Sequence, residues 1–515
     1  MAERLSKLNG MSLLSRNLLA NFMGRGWAGL MNLAFVPLFI RFMGIEAYGL
    51  VGFYTTLVAV LSVLDLGLST TLNREMARYS TLPNEVREMR DTVRTLEMIY
   101  WGLAFLIGLT VICLSPLIAR RWLRAATIQV DVVQSAVMLM GIVIAFQWPL
   151  NFYAGGLLGL QRQVMYNSLN ATWFTLRFAG AALLLWLVSP TILAFFTYQA
   201  IVSVLSAIVT GLLLWRSLPY VNQRARFQVE RLRLLWRFTA GMSAISVTVV
   251  FLNQLDKIIL SKLLSLEMFG YYVLAWTLGA SSMAYLAHPV FTSVFPRFVQ
   301  RVANDDGEGL KSLYHWSSQL GAVIILPTAM VLVFFAPQIL LIWTRNSNTV
   351  ENTQVLVRLM AIGFSFNALM AMPYALQLAH GWTKLTFYTN LAAAIFLGPA
   401  VLIMAWLFGV VGVAAIWTFL NLGLLLIVLP IMHKRLLRGE LWRWYSRDVG
   451  LPFLATLGTV SAGWLLIRNQ PFHRIIGFEI IAVLGLSYAA AALSARSIRV
   501  WALTRFQVTK GCYSA

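Results

Sequence analysis

Hydrophobic runs of about 20 residues recur along the whole chain, and short polar segments rich in Lys and Arg separate them. A helix of that length crosses the roughly 30 Å hydrocarbon core of a bilayer. The pattern therefore predicts an all-α integral membrane protein with about 14 transmembrane helices. The predicted spans are residues 17–41, 48–72, 97–119, 131–159, 166–188, 192–215, 238–262, 268–296, 312–343, 352–379, 385–407, 411–433, 449–467 and 475–494.

Two segments between these runs have a different pattern. Residues 216–237 form the longest basic link and lie near the middle of the chain. An apolar stripe predicts a helix that lies on the membrane surface before the third span. The residues of this stripe recur at helical spacing between Arg and Glu, and they are Leu82, Val86, Met89, Val93 and Leu96.

An internal repeat supports a division at the basic link. The sequence GIEAYG at 44–49 is echoed by SLEMFG at 265–270, 221 residues later. The sequence GLQRQVMY at 159–166 is echoed by GWTKLTFY at 381–388, 222 residues later. Six predicted helices separate the copies, so both copies enter the membrane in the same sense, as repeats related by an axis along the membrane normal do.

The repeat predicts two six-helix lobes. We expect an N-terminal lobe at 1–215, a cytoplasmic linker at 216–237 and a C-terminal lobe at 238–433. Residues 434–515 then hold two additional C-terminal helices and a tail.

Composition agrees with a membrane protein. The 515 residues are 59% hydrophobic and only 11% charged, against roughly 25% charged residues in soluble domains. This composition leaves no room for a sizeable soluble domain. An enzyme with its active site in such a domain is therefore disfavoured. The net charge of +21 is compatible with nucleic-acid binding, but the basic residues lie at the ends of the spans, so no nucleic-acid partner is predicted.

The basic residues also predict orientation. With the N-terminus inside, 28 of the 40 Lys and Arg fall in cytoplasmic segments and eight on the opposite face. The positive-inside rule then predicts that both termini are cytoplasmic. The cluster of Arg120, Arg121 and Arg124 is the one exception.

Arg25 lies near the middle of the first span, between Gly24 and Gly26. A charge at the bilayer centre costs about 2.5–3.5 kcal/mol or more, so such an arginine marks a candidate functional site. Two interpretations stay open. Arg25 either pairs with Asp65 or a backbone carbonyl, or its planar guanidinium binds an anion such as phosphate.

Other charges also interrupt the spans. Asp256 and Lys257 are neighbours in the seventh span; side chains of sequence neighbours diverge by about 100° on a helix, so we expect each to face a different partner. A cavity role, a salt bridge between lobes and, for Lys257, snorkelling to the outer interface stay open. Arg177 in the fifth span has no obvious carboxylate partner and is a candidate cavity-facing cation.

A polar face is predicted on the second span. Asp65, Ser69 and Asn73 recur at intervals of four residues, and the face ends beside Arg74. It serves either hydrogen bonding between helices or contact with a substrate.

No nucleotide-binding loop, metal-ligand spacing or nucleophile arrangement is found, and no long outer loop clusters Asp and Glu for acid–base chemistry. We therefore predict a protein that is not an enzyme and has no cofactor. Coupling to H⁺ or Na⁺ stays open.

Four stretches resemble one family. They are FVPLFIRFMGIEAYG at 35–49, LDLGLSTTLNRE at 64–75, ILLIW at 339–343 and GWTK at 381–384. The chain is similar over essentially its whole length to the polysaccharide flippases of the MOP exporter superfamily, the Wzx-type O-antigen translocases.

The resemblance implies two six-helix lobes around a V-shaped central cavity, with two extra helices. It implies translocation of undecaprenyl-pyrophosphate-linked oligosaccharide, an O-antigen or exopolysaccharide repeat unit, to the outer leaflet of a bacterial inner membrane. Membrane lipids and polysaccharide assembly proteins are the implied partners. The related lipid II flippases need a first-helix arginine in the cavity, and Arg25 occupies a similar place, whereas Arg177 and Asp256 have no close match.

The predicted substrate-binding residues in the cavity are Arg25, Asp65, Arg74, Arg177, Asp256 and Lys257. The main alternative is a cation-coupled exporter of drugs or small amphiphiles on the same fold, which predicts an acidic cavity. The spans contain few carboxylates, which favours the flippase. A membrane polymerase or ligase is a third class.

Overall fold

The computed structural model describes residues 13–65, 67–80, 82, 85–229, 250–468, 470 and 475–500, with side chains from residue 26 onward. These ranges are helical and contain no β-sheet; one isolated bridge joins Arg124 and Ser265. Within them, ten helices are long and apolar enough to cross a membrane. The predicted all-α membrane fold is confirmed, while the count of 14 spans stays a prediction.

The chain forms two compact units, residues 1–270 and 271–515. The lobe boundaries derived from the repeat stay a prediction. The helices of the first unit, in chain order, are α1 (Leu13–Met43), α2 (Ile45–Leu61), α3 (Leu68–Tyr79), α4 (Val86–Leu117), α5 (Val130–Gly159), α6 (Gln163–Thr175), α7 (Ala181–Leu187), α8 (Ile192–Ser217) and α9 (250–263).

Helix α10 (Leu266–Trp276) begins in the first unit and leads into the second. The further helices of the second unit are α11 (Ser282–Ala303), α12 (Gly307–Phe334), α13 (Ala336–Thr344), α14 (Ser347–Leu369), α15 (Ala371–Ala379), α16 (Lys384–Gly423), α17 (Leu429–Leu436), α18 (Leu441–Arg443), α19 (Leu451–Ile467) and α20 (Ile476–Ser494). Helix α16 is two helices that meet at Gly409, whose φ of 60° breaks the helical path. The break falls between the spans predicted at 385–407 and 411–433.

Two predicted elements differ from the structure. The span predicted at 48–72 is not one helix: α2 ends at Leu61, a 3₁₀ turn follows, and Gly67 adopts a left-handed φ of 77° before α3 begins. Glycine reaches this conformation without steric cost, which explains the break. The surface helix predicted before the third span is helical from Val86 onward, but it is the first part of α4 and continues without interruption into the span.

The first repeat motif is a contact between its own two copies. A Cβ placed on Gly49 would lie 2.2 Å from the carbonyl oxygen of Leu266, and one on Gly270 would lie 2.5 Å from that of Ile45. Gly49 corresponds to Gly270 and Ile45 to Leu266 in the repeat. The contact is thus symmetric, and glycine at both positions lets the two backbones touch.

A buried polar network fixes the last helices of the second unit to α12. Asp448 accepts a hydrogen bond from the Gln319 side chain at 2.8 Å and also contacts Nδ1 of His315. Nε2 of the same histidine lies 3.1 Å from Glu440. The Ser497 backbone N–H donates to Gln319 Oε1 at 2.9 Å. Because buried polar groups need partners, this network defines one packing of 440–450 and 495–500 on α12.

Candidate anion site

Arg177 lies where three helices of the first unit meet. Its Nη2 donates a hydrogen bond to Ser203 Oγ of α8 at 3.2 Å. The Tyr54 hydroxyl of α2 faces the same guanidinium and donates in turn to Gln147 of α5. Arg177 is half-buried, and these contacts to its side chain are all with neutral groups.

A π-helical turn places the arginine. Residues Leu176–Gly180 form this wide turn between α6 and α7. A π turn interrupts the regular hydrogen-bond ladder and is frequent at functional sites. Side chains of α8 bond the carbonyl groups here: Gln199 Nε2 donates to the Arg177 carbonyl at 2.9 Å, and the Tyr198 hydroxyl donates to the Leu176 carbonyl at 3.0 Å. The backbone beneath the guanidinium is therefore held from outside the helix.

No carboxylate forms an ion pair with Arg177 in the part of the chain that the structure describes. A guanidinium carries five N–H donors, and Ser203 and Tyr54 are too few to occupy them all. Burying a charge without a counter-charge is costly. The arrangement therefore suits an anion that arrives from outside the protein and completes the set of acceptors.

Arg25 is in α1, but its side chain lies outside the described residues, so its role stays a prediction. The helix that carries it packs on α6. The Trp27 indole, two residues after Arg25, donates to Thr175 Oγ1 at 2.8 Å, two residues before Arg177. The structure thus brings together the two helix segments that bear these arginines.

Asp65 already has hydrogen-bond donors inside the first unit. Ser69 Oγ donates to one carboxylate oxygen at 2.8 Å, and the Tyr100 hydroxyl of α4 donates to the other. This is the interhelical hydrogen bonding that was one of the two interpretations of the polar face. Arg74 is exposed on α3.

Asp256 and Lys257 lie close together, contrary to the expectation that neighbouring side chains on a helix diverge. Lys257 Nζ lies 3.8 Å from Asp256 Oδ1 and donates to the Asn253 carbonyl at 3.0 Å. The side chain of Asp256 is 0% exposed and that of Lys257 is 7% exposed. Although their Cβ atoms diverge, the long Lys stem turns back toward the helix N-terminus and reaches both groups.

Sequence reasoning missed a buried acid in α4. Glu97 accepts hydrogen bonds from the Tyr153 hydroxyl at 2.9 Å and the Trp215 indole at 3.0 Å, and Arg94 lies 3.2 Å away. Glu97 is the first residue of the predicted third span. A carboxylate at the end of a span is expected to lie at the membrane interface, so its burial was not predicted. Its burial depends on α5 and α8, which the local sequence does not reveal.

Similarity to known proteins places the chain in a family. The family model described as "Polysaccharide biosynthesis protein" matches residues 14–302, more than half of the chain. No curated protein matches in sequence.

Solved structures show the fold. Lipid II flippase MurJ in an inward closed conformation is 14% identical, with 93% of this chain and 98% of that chain covered and a TM-score of 0.67. An inward-facing multidrug resistance MATE family transporter of the MOP superfamily is 14% identical, with coverage of 86% and 96% and a TM-score of 0.61. The MATE multidrug transporter DinF-BH is 13% identical, with coverage of 85% and 96% and a TM-score of 0.55.

At such low identity these matches show that the chain has the fold of MOP-superfamily transporters, and it is accordingly a multi-pass membrane protein. The match over residues 14–302 confirms the family predicted from the sequence: the chain belongs to the polysaccharide biosynthesis protein family.

Proposed function

We propose that the protein is a flippase that moves undecaprenyl-pyrophosphate-linked oligosaccharide from the inner to the outer leaflet of a bacterial inner membrane by alternating access. It performs no covalent chemistry. Arg177, together with Arg25, binds the pyrophosphate, while the polyprenyl chain stays in lipid. The carbohydrate is an O-antigen or exopolysaccharide repeat unit, and both termini are cytoplasmic.

The observation that carries this proposal is the guanidinium of Arg177 with neutral partners and no carboxylate among the described residues. A pyrophosphate supplies negatively charged acceptors that match the planar fork of a guanidinium. The match to a lipid II flippase adds support at the level of fold.

The proposal changes the roles of the other candidate residues. Lys257 lies beside Asp256, so its charge is already balanced and its role is to hold α9 in place. Asp65 positions α3 against α4 through Tyr100. Arg177 and Arg25 remain as the residues that contact the substrate.

The membrane potential favours outward movement of the anionic head group. With the inside negative, each transferred negative charge gains about 2.3 kcal/mol per 100 mV. The protein must then lower the barrier, because bare burial of phosphate charge is prohibitive. Cations that replace the water around the phosphates do this.

The test is the location of the glycan lipid in cells. Cells that lack this chain should accumulate undecaprenyl-linked glycan on the cytoplasmic leaflet, and the wild-type gene should reverse the accumulation. Unchanged distribution across the leaflets without the chain would refute the proposal.

A cation-coupled exporter of drugs or amphiphiles is the second candidate function. The likeness to MATE transporters and the buried carboxylate of Glu97 favour it. It predicts that loss of the chain raises drug sensitivity and that Glu97→Gln has the same effect. The flippase proposal predicts that drug sensitivity rises together with the defect in glycan translocation. It predicts no separate effect of Glu97→Gln on drug sensitivity.

A further inference from the structure

A cavity of about 970 Å³ lies in the second unit, far along the chain from Arg177. It is bounded by the last turns of α11, the first turns of α12, the π-helical turn that precedes α19, and the residues that follow α20. These are ends of membrane helices, so the cavity lies at an end of the bundle and not in its middle. The predicted orientation puts this end on the cytoplasmic side.

The cavity is lined by arginines from each of these segments except α12, and by no Asp or Glu among the described residues. The arginines are Arg297, Arg301, Arg443, Arg447, Arg496 and Arg499. Six guanidinium groups around one concave surface repel one another unless counter-charges are near.

Only two of the six have a carboxylate partner within the described ranges. Arg301 pairs with Asp306, and Arg443 lies 3.6 Å from Glu440. The Gly309 backbone N–H and the Arg301 guanidinium hold the pKa of the Asp306 carboxyl below its usual range, so that pair stays ionised. Arg447 and Arg496 face the cavity from different segments without such a partner.

The inner wall of the cavity is rigid. Gln319 lines it and is held on both sides, by Asp448 at 2.8 Å and by the Ser497 backbone at 2.9 Å. Asp448 itself is fully buried. The buried polar network therefore sets the positions of the π-helical turn that carries Arg447 and the segment that carries Arg496. A preorganised cluster of this kind binds an anion with little ordering cost.

Part of the cavity lining is apolar. Leu451, Leu493 and Val500 belong to its lining and are 47%, 63% and 51% exposed. Exposed apolar side chains next to a cluster of arginines match an amphiphile, whose phosphate faces the arginines and whose chains follow the leucines. A free phosphate would leave this apolar part without a ligand.

We propose that this arginine cavity binds the phosphate head group of an anionic membrane phospholipid, as a lipid site distinct from the translocation site at Arg177. Arg447 and Arg496 supply charge that no carboxylate among the described residues neutralises, and Leu493 and Leu451 contact the acyl chains.

The test is lipid binding to the purified full-length protein, measured by native mass spectrometry with phosphatidylglycerol, phosphatidylcholine or inorganic phosphate. Wild-type protein should prefer phosphatidylglycerol. The double variant Arg447→Gln/Arg496→Gln should bind it roughly 10- to 30-fold more weakly, since each arginine near a lipid surface contributes about 1 kcal/mol. Both side chains are exposed, so the variant should keep its thermal unfolding midpoint.

The matched control is Arg435→Gln/Arg438→Gln, two exposed arginines of the same unit that do not line the cavity. It should change phosphatidylglycerol affinity less than about twofold. Equal affinity of the cavity variant and the wild type would overturn the proposal. So would inorganic phosphate that binds as tightly as phosphatidylglycerol, because the apolar lining would then contribute nothing.

Discussion

Arg177 and Lys257 are both cations within helices of the first unit, but they are balanced in different ways. Lys257 lies 3.8 Å from Asp256, and its Nζ donates to a carbonyl of its own helix. Arg177 has Ser203 and Tyr54 beside it, and neither carries a charge at neutral pH. Asp256 therefore offsets the charge of Lys257, whereas no carboxylate among the described residues pairs with Arg177, which we propose to bind an external anion.

The difference separates structural from functional charge in a membrane protein. A buried ion pair contributes little net stability, but removal of one partner leaves an uncompensated charge. A buried cation with only neutral partners already has that cost, and under the proposed function binding of the anionic substrate would relieve it. Substitutions at the two sites should accordingly affect different properties.

The largest effect is expected for Asp256→Ala, which leaves Lys257 buried without its carboxylate. We expect a loss of about 3–5 kcal/mol in the free energy of unfolding, measured by thermal or denaturant unfolding of the purified protein. The double variant Asp256→Ala/Lys257→Met should recover most of this loss. Equal destabilisation by the single and double variants would show that the pair is not what balances Lys257.

Arg177→Gln should act on transport and not on stability. A charged hydrogen bond to phosphate is worth about 1.5–3 kcal/mol, so translocation of the glycan lipid should fall about 10- to 100-fold. The unfolding midpoint should stay close to that of the wild type, because removal of a poorly compensated buried charge offsets the loss of the hydrogen bonds to Ser203 and Tyr54. The matched control is Asp256→Ala/Lys257→Met, which should retain translocation. A translocation defect of equal size in this control would show that the two sites do not differ in function.

Arg177→Lys should give a smaller loss, about five- to tenfold, because Lys keeps the charge but lacks the planar fork of donors. Initial rates of translocation into proteoliposomes measure this. A Lys variant as inactive as the Gln variant would mean that geometry, and not charge, determines binding.

Ser203→Ala should have the smallest effect. It removes the hydroxyl that accepts a hydrogen bond from Arg177 and donates one to the Gln199 carbonyl. The loss should cost about 0.5–1.5 kcal/mol in unfolding free energy, with a translocation loss of less than tenfold. Ser206→Ala is the control, since Ser206 is buried in the same helix and its hydroxyl bonds only the Ser203 carbonyl within the described structure. The unfolding midpoints of the two variants give the comparison, and a tenfold or larger transport defect in Ser206→Ala would argue against a specific role for Ser203.

Much of the fold could be predicted from the sequence because the length of hydrophobic runs is set directly by the bilayer. The break before α3 could not, since Gly67 can adopt either helical or left-handed geometry and the local sequence does not distinguish them. The repeat matched Gly49 with Gly270 in sequence. It did not predict that the two copies touch each other, which only the structure shows.

The candidate site was less predictable. Arg177 stood out because a charge in a hydrophobic run is unusual, but its neutral partners Tyr54 and Ser203 lie on other helices and give no local signal. For Asp256 and Lys257 the helical projection was misleading, because it follows Cβ directions and ignores the reach of a four-carbon side chain. Arg25 stays a prediction.

The central claim is that Arg177 binds the pyrophosphate of a lipid-linked glycan. The most direct measurement is the affinity of purified protein for undecaprenyl-pyrophosphate-linked glycan, with wild type, Arg177→Gln and Asp256→Ala/Lys257→Met compared in the same detergent. We predict that Arg177→Gln binds at least about tenfold more weakly and that the ion-pair variant binds like the wild type. Unchanged affinity of Arg177→Gln would contradict the account.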